Sequence, residues 1–213
     1  MKKTEKPSAG TRAARNTTAG RTASVRRDTN ETQLSATLDV DGTGRFSGAV
    51  GVPFFEHMLN LFTRHALVDL ELKGVGDVQI DAHHTVEDCG ILIGQVFREA
   101  LGSKEGIERY GQAYVPMEEA LARCVLDVCN RPYLRFDVEL PKAKVGDFDV
   151  ELAEEFLRAF AFNAGITMHV TVFHGSNLHH ILEAVFKAVG RALSQAVATN
   201  PRIRGVFSTK GKL

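Results

Sequence analysis

The sequence predicts an α+β fold built from two tandem, duplicated βα half-domains, each a mixed sheet with helices packed on one face. Two observations carry that prediction. Laying each residue over the one 96 positions later sets His83 on His179, His84 on His180, Glu87 on Glu183, Gly94 on Gly190 and Ala100 on Ala196. The apolar stripe repeats as well: Val86, Cys89, Ile93, Val96 and Ala100 take the same steps as Leu182, Val185, Val189, Ala192 and Ala196. Each stripe is one face of an amphipathic helix. A match in both chemistry and period indicates an internal repeat.

The elements follow in order. Residues 1–24 carry six Lys/Arg and one Glu with almost no large apolar side chains, so they read as a disordered basic tail, with a transit peptide as the sharper alternative. The first half-domain is placed at 25–115 and the second at 116–205, with a C-terminal tail at 206–213. "TQLSATLDVDGTGRFSG" alternates and turns on Asp-Gly and Thr-Gly, a hairpin signal. "FFEHMLNLFTRHALVDLELKG" predicts a helix over 54–64 and a strand through Val68, Leu70 and Leu72. "EALARCVLDVCNRPYLRFDVEL" predicts two strands broken at Pro132. A helix over 150–163 and a strand through Ile166, Met168, Val170 and Val172 complete the second half. If the first half's strand–helix turn is two residues longer, His57 and Glu155 become repeat partners.

Composition narrows the function. Lys+Arg and Asp+Glu balance at 26 each, so overall charge points to neither nucleic acid nor an anionic membrane. No apolar run reaches membrane-spanning length. Cys89, Cys124 and Cys129 form no C-x-x-C pair and read as reduced, buried thiols of a cytoplasmic protein.

The histidine doublets carry the chemistry. On a helix, Glu87 shares a face with His83 and His84, and Glu183 with His179 and His180. Two imidazoles and a carboxylate converging at a helix start form a divalent-metal signal suited to Mn, Fe, Co or Zn. Adjacent histidines diverge, so two doublets can serve two metals. Arg109, Arg131 and Lys187, taken singly, are ordinary surface cations. The ending "VFSTKGKL", with Ser208 and Lys210, offers a hydroxyl and an ammonium for a phosphate.

At this point the chain resembles the imidazoleglycerol-phosphate dehydratase family. "FFEHML", "RHA", "DAHHTVED", "PMEEALARCVLDVCNRPY", "NAGITMH", "HHILEAVFKAVGRAL" and "STKGKL" carry the resemblance, in the family's order, from residue 26 to 213. The resemblance implies a ribosomal-protein-S5-domain-2-like fold and an octahedral homo-oligomer of twenty-four subunits with active sites at the interfaces. It implies two Mn²⁺ per site, held by His57, His83, His84, Glu87, His179, His180, Glu183 and one further ligand. That ligand is often histidine in the family; Glu155 stands there, with His169 as the competing candidate. Glu56 replaces the usual aspartate before the first ligand histidine. The implied catalytic groups are Glu31, His65, Glu87 and Glu183. The implied substrate contacts are Glu31, His57, His65, His83, Glu87 and His179, with Arg109, Arg131, Lys187, Ser208 and Lys210 on the phosphate.

The implied reaction dehydrates D-erythro-imidazole glycerol phosphate to imidazole acetol phosphate in histidine biosynthesis. Its proposed route is a di-manganese imidazolate and a diazafulvene-like intermediate. Two rival readings use the same residues: a dinuclear phosphohydrolase, and a non-catalytic shell protein stapled by metal.

Overall fold

The structure, a computed structural model, describes residues 20–213. Residues 1–19, most of the segment read as a tail, lie outside the described residues. In chain order the first half supplies β1 (Thr22–Asp28), β2 (Thr32–Asp39), β3 (Phe46–Ala49), α1 (Pro53–Ala66), β4 (Asp69–Gly76) and α2 (His83–Leu101). The second supplies β5 (Tyr110–Met117), β6 (Ala120–Val128), β7 (Tyr133–Asp137), a small hairpin of β8 (Lys144–Val145) and β9 (Phe148–Asp149), then α3 (Leu152–Ala164), β10 (Ile166–His174) and α4 (Leu178–Val197). The two main sheets have the same topology, β1-β2-β4-β3 and β5-β6-β10-β7. In each, the short third strand lies parallel to its neighbour and the other pairs are antiparallel.

Three boundaries differ from the sequence reading. β1 begins at Thr22, inside the segment assigned to the tail, because its residues pair with β2 from Thr22↔Asp39 to Asp28↔Gln33. β5 opens the second sheet at Tyr110 rather than 116, since it forms the hairpin with β6. β2 and β3 are not a hairpin. The Asp69 carboxylate accepts from the Thr43 and Arg45 backbone N–H groups at 2.7 and 3.0 Å. That grip carries the chain across the start of β4, so β3 pairs on its far side.

The repeat keeps its register, once its offsets are known, up to a bulge between Val172 and His174 that β4 lacks. β2 pairs Leu38 with Leu70 and β6 pairs Leu126 with Met168. The offset is therefore 88 through the first three strands and 98 beyond the β8–β9 insertion. It falls to 96 in the last helix, because six residues (77–82) precede the first doublet and four (175–178) precede the second. His57 and Glu155 are therefore repeat partners, as the two-residue shift required. α1 and α3 also end alike, on left-handed Leu67 and Gly165.

The halves meet through their helices. A Cβ on Gly94 of α2 would lie 2.7 Å from Phe160 O and from Asn163 Cβ. One on Gly190 of α4 would lie 2.6 Å from Phe62 O and 3.1 Å from His65 Cβ. The glycines are repeat partners at an offset of 96 and the residues they meet at 98, so α2 crosses α3 as α4 crosses α1. Only glycine admits such backbone approach. Between the pairs, Phe62 and its repeat partner Phe160 touch edge to face with centroids 5.7 Å apart. Phe55, Phe97, Phe156 and Phe186 extend this buried aromatic spine. The three cysteines are free and buried, and burial raises the Cys89 and Cys124 thiol pKa values. No helix among the described residues is long and apolar enough to cross a membrane.

One feature breaks the symmetry. In the first half, buried Asp88 of α2 accepts from Arg27 of β1 at 2.8 Å and from the Thr32 hydroxyl of β2. The repeat partners of Arg27, Thr32 and Asp88 are Val115, Ala120 and Ala184, all buried. A polar clamp in one half is thus replaced as a unit by apolar packing in the other. Both solutions leave few buried groups unpaired.

Candidate active site

Both doublets sit in the first turn of a helix, where a side-chain oxygen receives the free backbone N–H groups. Asn177 Oδ1 accepts from the backbone of His179 (2.9 Å) and His180 (3.4 Å). Its repeat partner Asp81 accepts from the backbone of His83 at 2.8 Å. The caps fix where each helix starts and therefore where each doublet projects.

At the second doublet, α1 and α4 bring three donors together. His57 Nε2 lies 2.9 Å and His179 Nε2 3.1 Å from Glu183 Oε1. These donor atoms form one group within 4.8 Å of one another. An octahedral ion with bonds near 2.1 Å sets adjacent ligand atoms about 3 Å apart, so this spacing fits a divalent cation. Glu183 Oε2 also accepts from Lys187 Nζ at 2.6 Å. Burial raises the Glu183 pKa, but the bonds from Lys187, His57 and His179 outweigh it and hold it at about 2. The Glu183 carboxylate is ionised at neutral pH. His180 points to a second group, with Glu118 and Glu119.

The first doublet is more open. His83 Nε2 is 4.0 Å from Glu87, and His84 Nε2 is 3.7 Å from Glu31. Glu155 is the repeat partner of His57, on the helix that crosses α2 as α1 crosses α4; among the described residues it does not close a three-donor group with His83 and Glu87 like that of His57, His179 and Glu183. His169 lies elsewhere: it is on the outer, solvent face of its sheet, 5.6 Å from the Tyr133 ring. Glu56 is occupied locally, accepting from the Val50 and Gly51 backbone at 2.7 and 2.9 Å.

The cations divide into two places. Arg109, Arg131, Ser208 and Lys210 line one cavity of about 620 Å³ at the start of β5. Asp127 holds Arg109 with both oxygens, at 2.6 and 2.9 Å, and approaches Arg131 at 3.5 Å. Arg109 Nη1 donates to Phe207 O at 2.8 Å, tying the C-terminal tail to the cavity. Lys187 is not there; it pairs with Glu183 at the second doublet. His65, two turns along α1 from His57, is half-buried. Burial first, then the charges of Lys187 and Arg191, lower its pKa.

Two rulers measure the gap between these places. Arg109 N donates to Ala196 O near the end of α4, sixteen residues past His180, about 24 Å at the helical rise. From Tyr110, beside the cavity, to Met117, which touches Lys187, β5 runs seven steps, about 23 Å. The first doublet is equally far, since Glu105, just past the end of α2, bridges to Val206 of the tail.

The sequence reading missed four residues. Asp77 accepts from His84 Nδ1 at 2.9 Å and Glu119 from His180 Nδ1 at 2.8 Å; these bonds raise both imidazole pKa values. Asp127 organises the arginines, and Asp88 clamps the hairpin that carries Glu31. The signal for Glu119 was present: it is the repeat partner of Glu31 at the strand offset of 88.

The chain is similar to known proteins in both sequence and fold. The family model described as imidazoleglycerol-phosphate dehydratase matches residues 50–193. A protein of that name from Pelobacter propionicus is 58% identical over 91% of this chain and 99% of its own length. One from Acetivibrio thermocellus is 56% identical over 89% of this chain and 97% of its own. The crystal structure of imidazoleglycerol-phosphate dehydratase from Staphylococcus aureus matches with a TM-score of 0.75 at 42% identity, over 84% of this chain and 99% of that one. That of IGPD from Pyrococcus furiosus in complex with (S)-C348 matches with 0.76 at 34% identity, over 89% and 100%.

Proposed function

The chain belongs to the imidazoleglycerol-phosphate dehydratase family, hydro-lyases of histidine biosynthesis, and from that premise we propose a two-manganese dehydratase whose active sites are shared between subunits. The substrate is D-erythro-imidazole glycerol phosphate and the product imidazole acetol phosphate. The ligands are His57, His83, His84, Glu87, Glu155, His179, His180 and Glu183. Those eight residues would hold two Mn²⁺ ions, whose Lewis acidity would make the imidazole N–H acidic; the imidazolate left by loss of that proton would be electron-rich enough to expel the neighbouring hydroxyl.

The chain's own residues do the rest. Arg109, Arg131, Ser208 and Lys210 bind the phosphate, and Lys187, held at the metal end, joins them from another subunit. Anchoring the phosphate spends remote binding energy on orienting the ring. Glu31, on an exposed turn 3.7 Å from His84 Nε2, and His65, kept neutral largely by burial, move protons at the substrate carbons and the leaving oxygen.

One observation carries the shared site. Doublets and phosphate cavity lie about 24 Å apart in one subunit, whereas the substrate joins ring to phosphate through three carbons, about 7 Å. One molecule cannot touch both ends of one subunit. The proposed assembly is the cytoplasmic octahedral 24-mer. Subunit mixing tests this. Arg109→Ala and His180→Ala proteins should each be inactive, and unfolding and reassembling them together should restore ketone formation. No recovery in mixed assemblies would overturn the shared site, and release of inorganic phosphate would favour a hydrolase.

A further inference from the structure

Glu31 and Glu119 occupy the same position in the repeat, yet they meet their histidines differently. The β1–β2 and β5–β6 hairpins superpose at an offset of 88, pairing Asp28 with Gln33 as Pro116 pairs with Leu121. Glu119 lies on the Nδ1 side of His180, at 2.8 Å. Its other oxygen accepts from the backbone of Ser176 (3.1 Å) and Asn177 (2.8 Å), at the cap of α4. The carboxylate is therefore fixed at both ends. Glu31 lies instead on the Nε2 side of His84, and makes no Nδ1 contact.

In the first half the Nδ1 position is taken by Asp77. This residue lies in the turn that is two residues longer than its counterpart. It bonds His84 Nδ1 at 2.9 Å, and its second oxygen is buried without a partner. An ionised carboxylate only accepts, so each Nδ1 must carry the proton. Each Nε2 is then the free nitrogen, its lone pair turned away from the carboxylate. A ligating histidine is commonly oriented and made more basic in this way.

We propose that Asp77 and Glu119 are positioning residues of the metal site, each fixing the second histidine of its doublet so that Nε2 is the ligating atom. The longer turn in the first half gives this task to Asp77 and so releases Glu31 to face the substrate. One ancestral turn glutamate has thus divided into a positioning residue, Glu119, and a reacting one, Glu31. The inference rests on the metal reading of the doublets.

Manganese titration of the full-length, metal-stripped protein, followed by the electron-spin-resonance signal of free Mn²⁺, tests it without turnover. Asp77→Ala and Glu119→Ala should each weaken Mn²⁺ binding by about 10–100-fold. Asp77→Asn and Glu119→Gln keep an oxygen acceptor for Nδ1–H and should recover part of that loss. Glu31→Gln should lose turnover while its Mn²⁺ affinity stays that of the wild type. Thermal melting of each metal-free variant separates a folding defect from a metal defect. Wild-type Mn²⁺ affinity in the assembled Asp77→Ala or Glu119→Ala protein would overturn the positioning role. A wild-type protein that binds no Mn²⁺ would overturn the metal reading itself, a different and separately visible failure.

Discussion

His57 and Glu183, 126 residues apart in sequence, meet at 2.9 Å through the crossing of α1 and α4. The contact joins the two halves at the point where an ion fits. Glu183→Gln removes the charge that His57, His179 and Lys187 share, so Mn²⁺ content after dialysis should fall by at least about tenfold. Metal analysis of the purified protein measures this. Unchanged content would remove Glu183 from the ligand set.

Glu155 and His169 make opposite predictions. Glu155 occupies the repeat position of His57, while His169 faces outward against Tyr133. Glu155→Ala should therefore lower both metal content and activity, and His169→Ala should leave metal content as it was. The reverse pattern would transfer the ligand role to His169.

The Arg27–Thr32–Asp88 clamp can be tested against its own repeat partner. Asp88→Ala strands Arg27 and should cost about 2–3 kcal/mol in a denaturant titration. Replacing all three with the second half's residues, as R27V/T32A/D88A, should recover most of that loss, since removing a whole buried network costs less than breaking it. A triple variant no more stable than the single one would refute the equivalence.

The helix crossings leave no room for a methyl group. Gly94→Ala and Gly190→Ala should each destabilise the protein by about 1–3 kcal/mol or more. Gly102→Ala offers a contrast: nothing lies within 4 Å of its added Cβ, although its positive φ imposes a backbone cost. Thermal melting compares them.

Asp69 supplies a pH dependence. Its bonds from Arg45 first, and from the Thr43 and Arg45 backbone, hold its pKa well below the usual carboxylate range. A depressed carboxylate pKa gives stability that is complete above the unfolded value, about 3.9, and is lost as pH falls toward the folded one. Asp69→Asn should thus cost roughly 1–2 kcal/mol at neutral pH, and the gap to wild type should narrow below about pH 4. A gap constant from pH 7 to 3 would contradict this.

The helical half of the repeat was legible because doublet, glycine and apolar stripe all recur at one offset. The strands share little beyond alternation, and the offset of 88 in the first three strands differs from the 96 of the last helix, so one global shift hides Glu119 behind Glu31. Asp88 escaped for the opposite reason. A search for repeats finds what the halves share, and Asp88 faces Ala184. The β2–β3 connection was misread because the Asp-Gly and Thr-Gly signals describe a local turn. The partner that decides its direction, Asp69, is more than twenty residues away. Asp77 gave no signal, because its role depends on the geometry of a loop.

A subunit with its histidine doublets at one end and its Arg109–Arg131 cavity at the other resembles a link with a hook and an eye. Any open chain or sheet of such links leaves unmatched hooks and eyes along its boundary. Only an arrangement that closes on itself matches every one. In the proposed assembly, closure determines how many working sites each chain contributes, and a mutation that merely opened the shell would lower activity without touching a catalytic group.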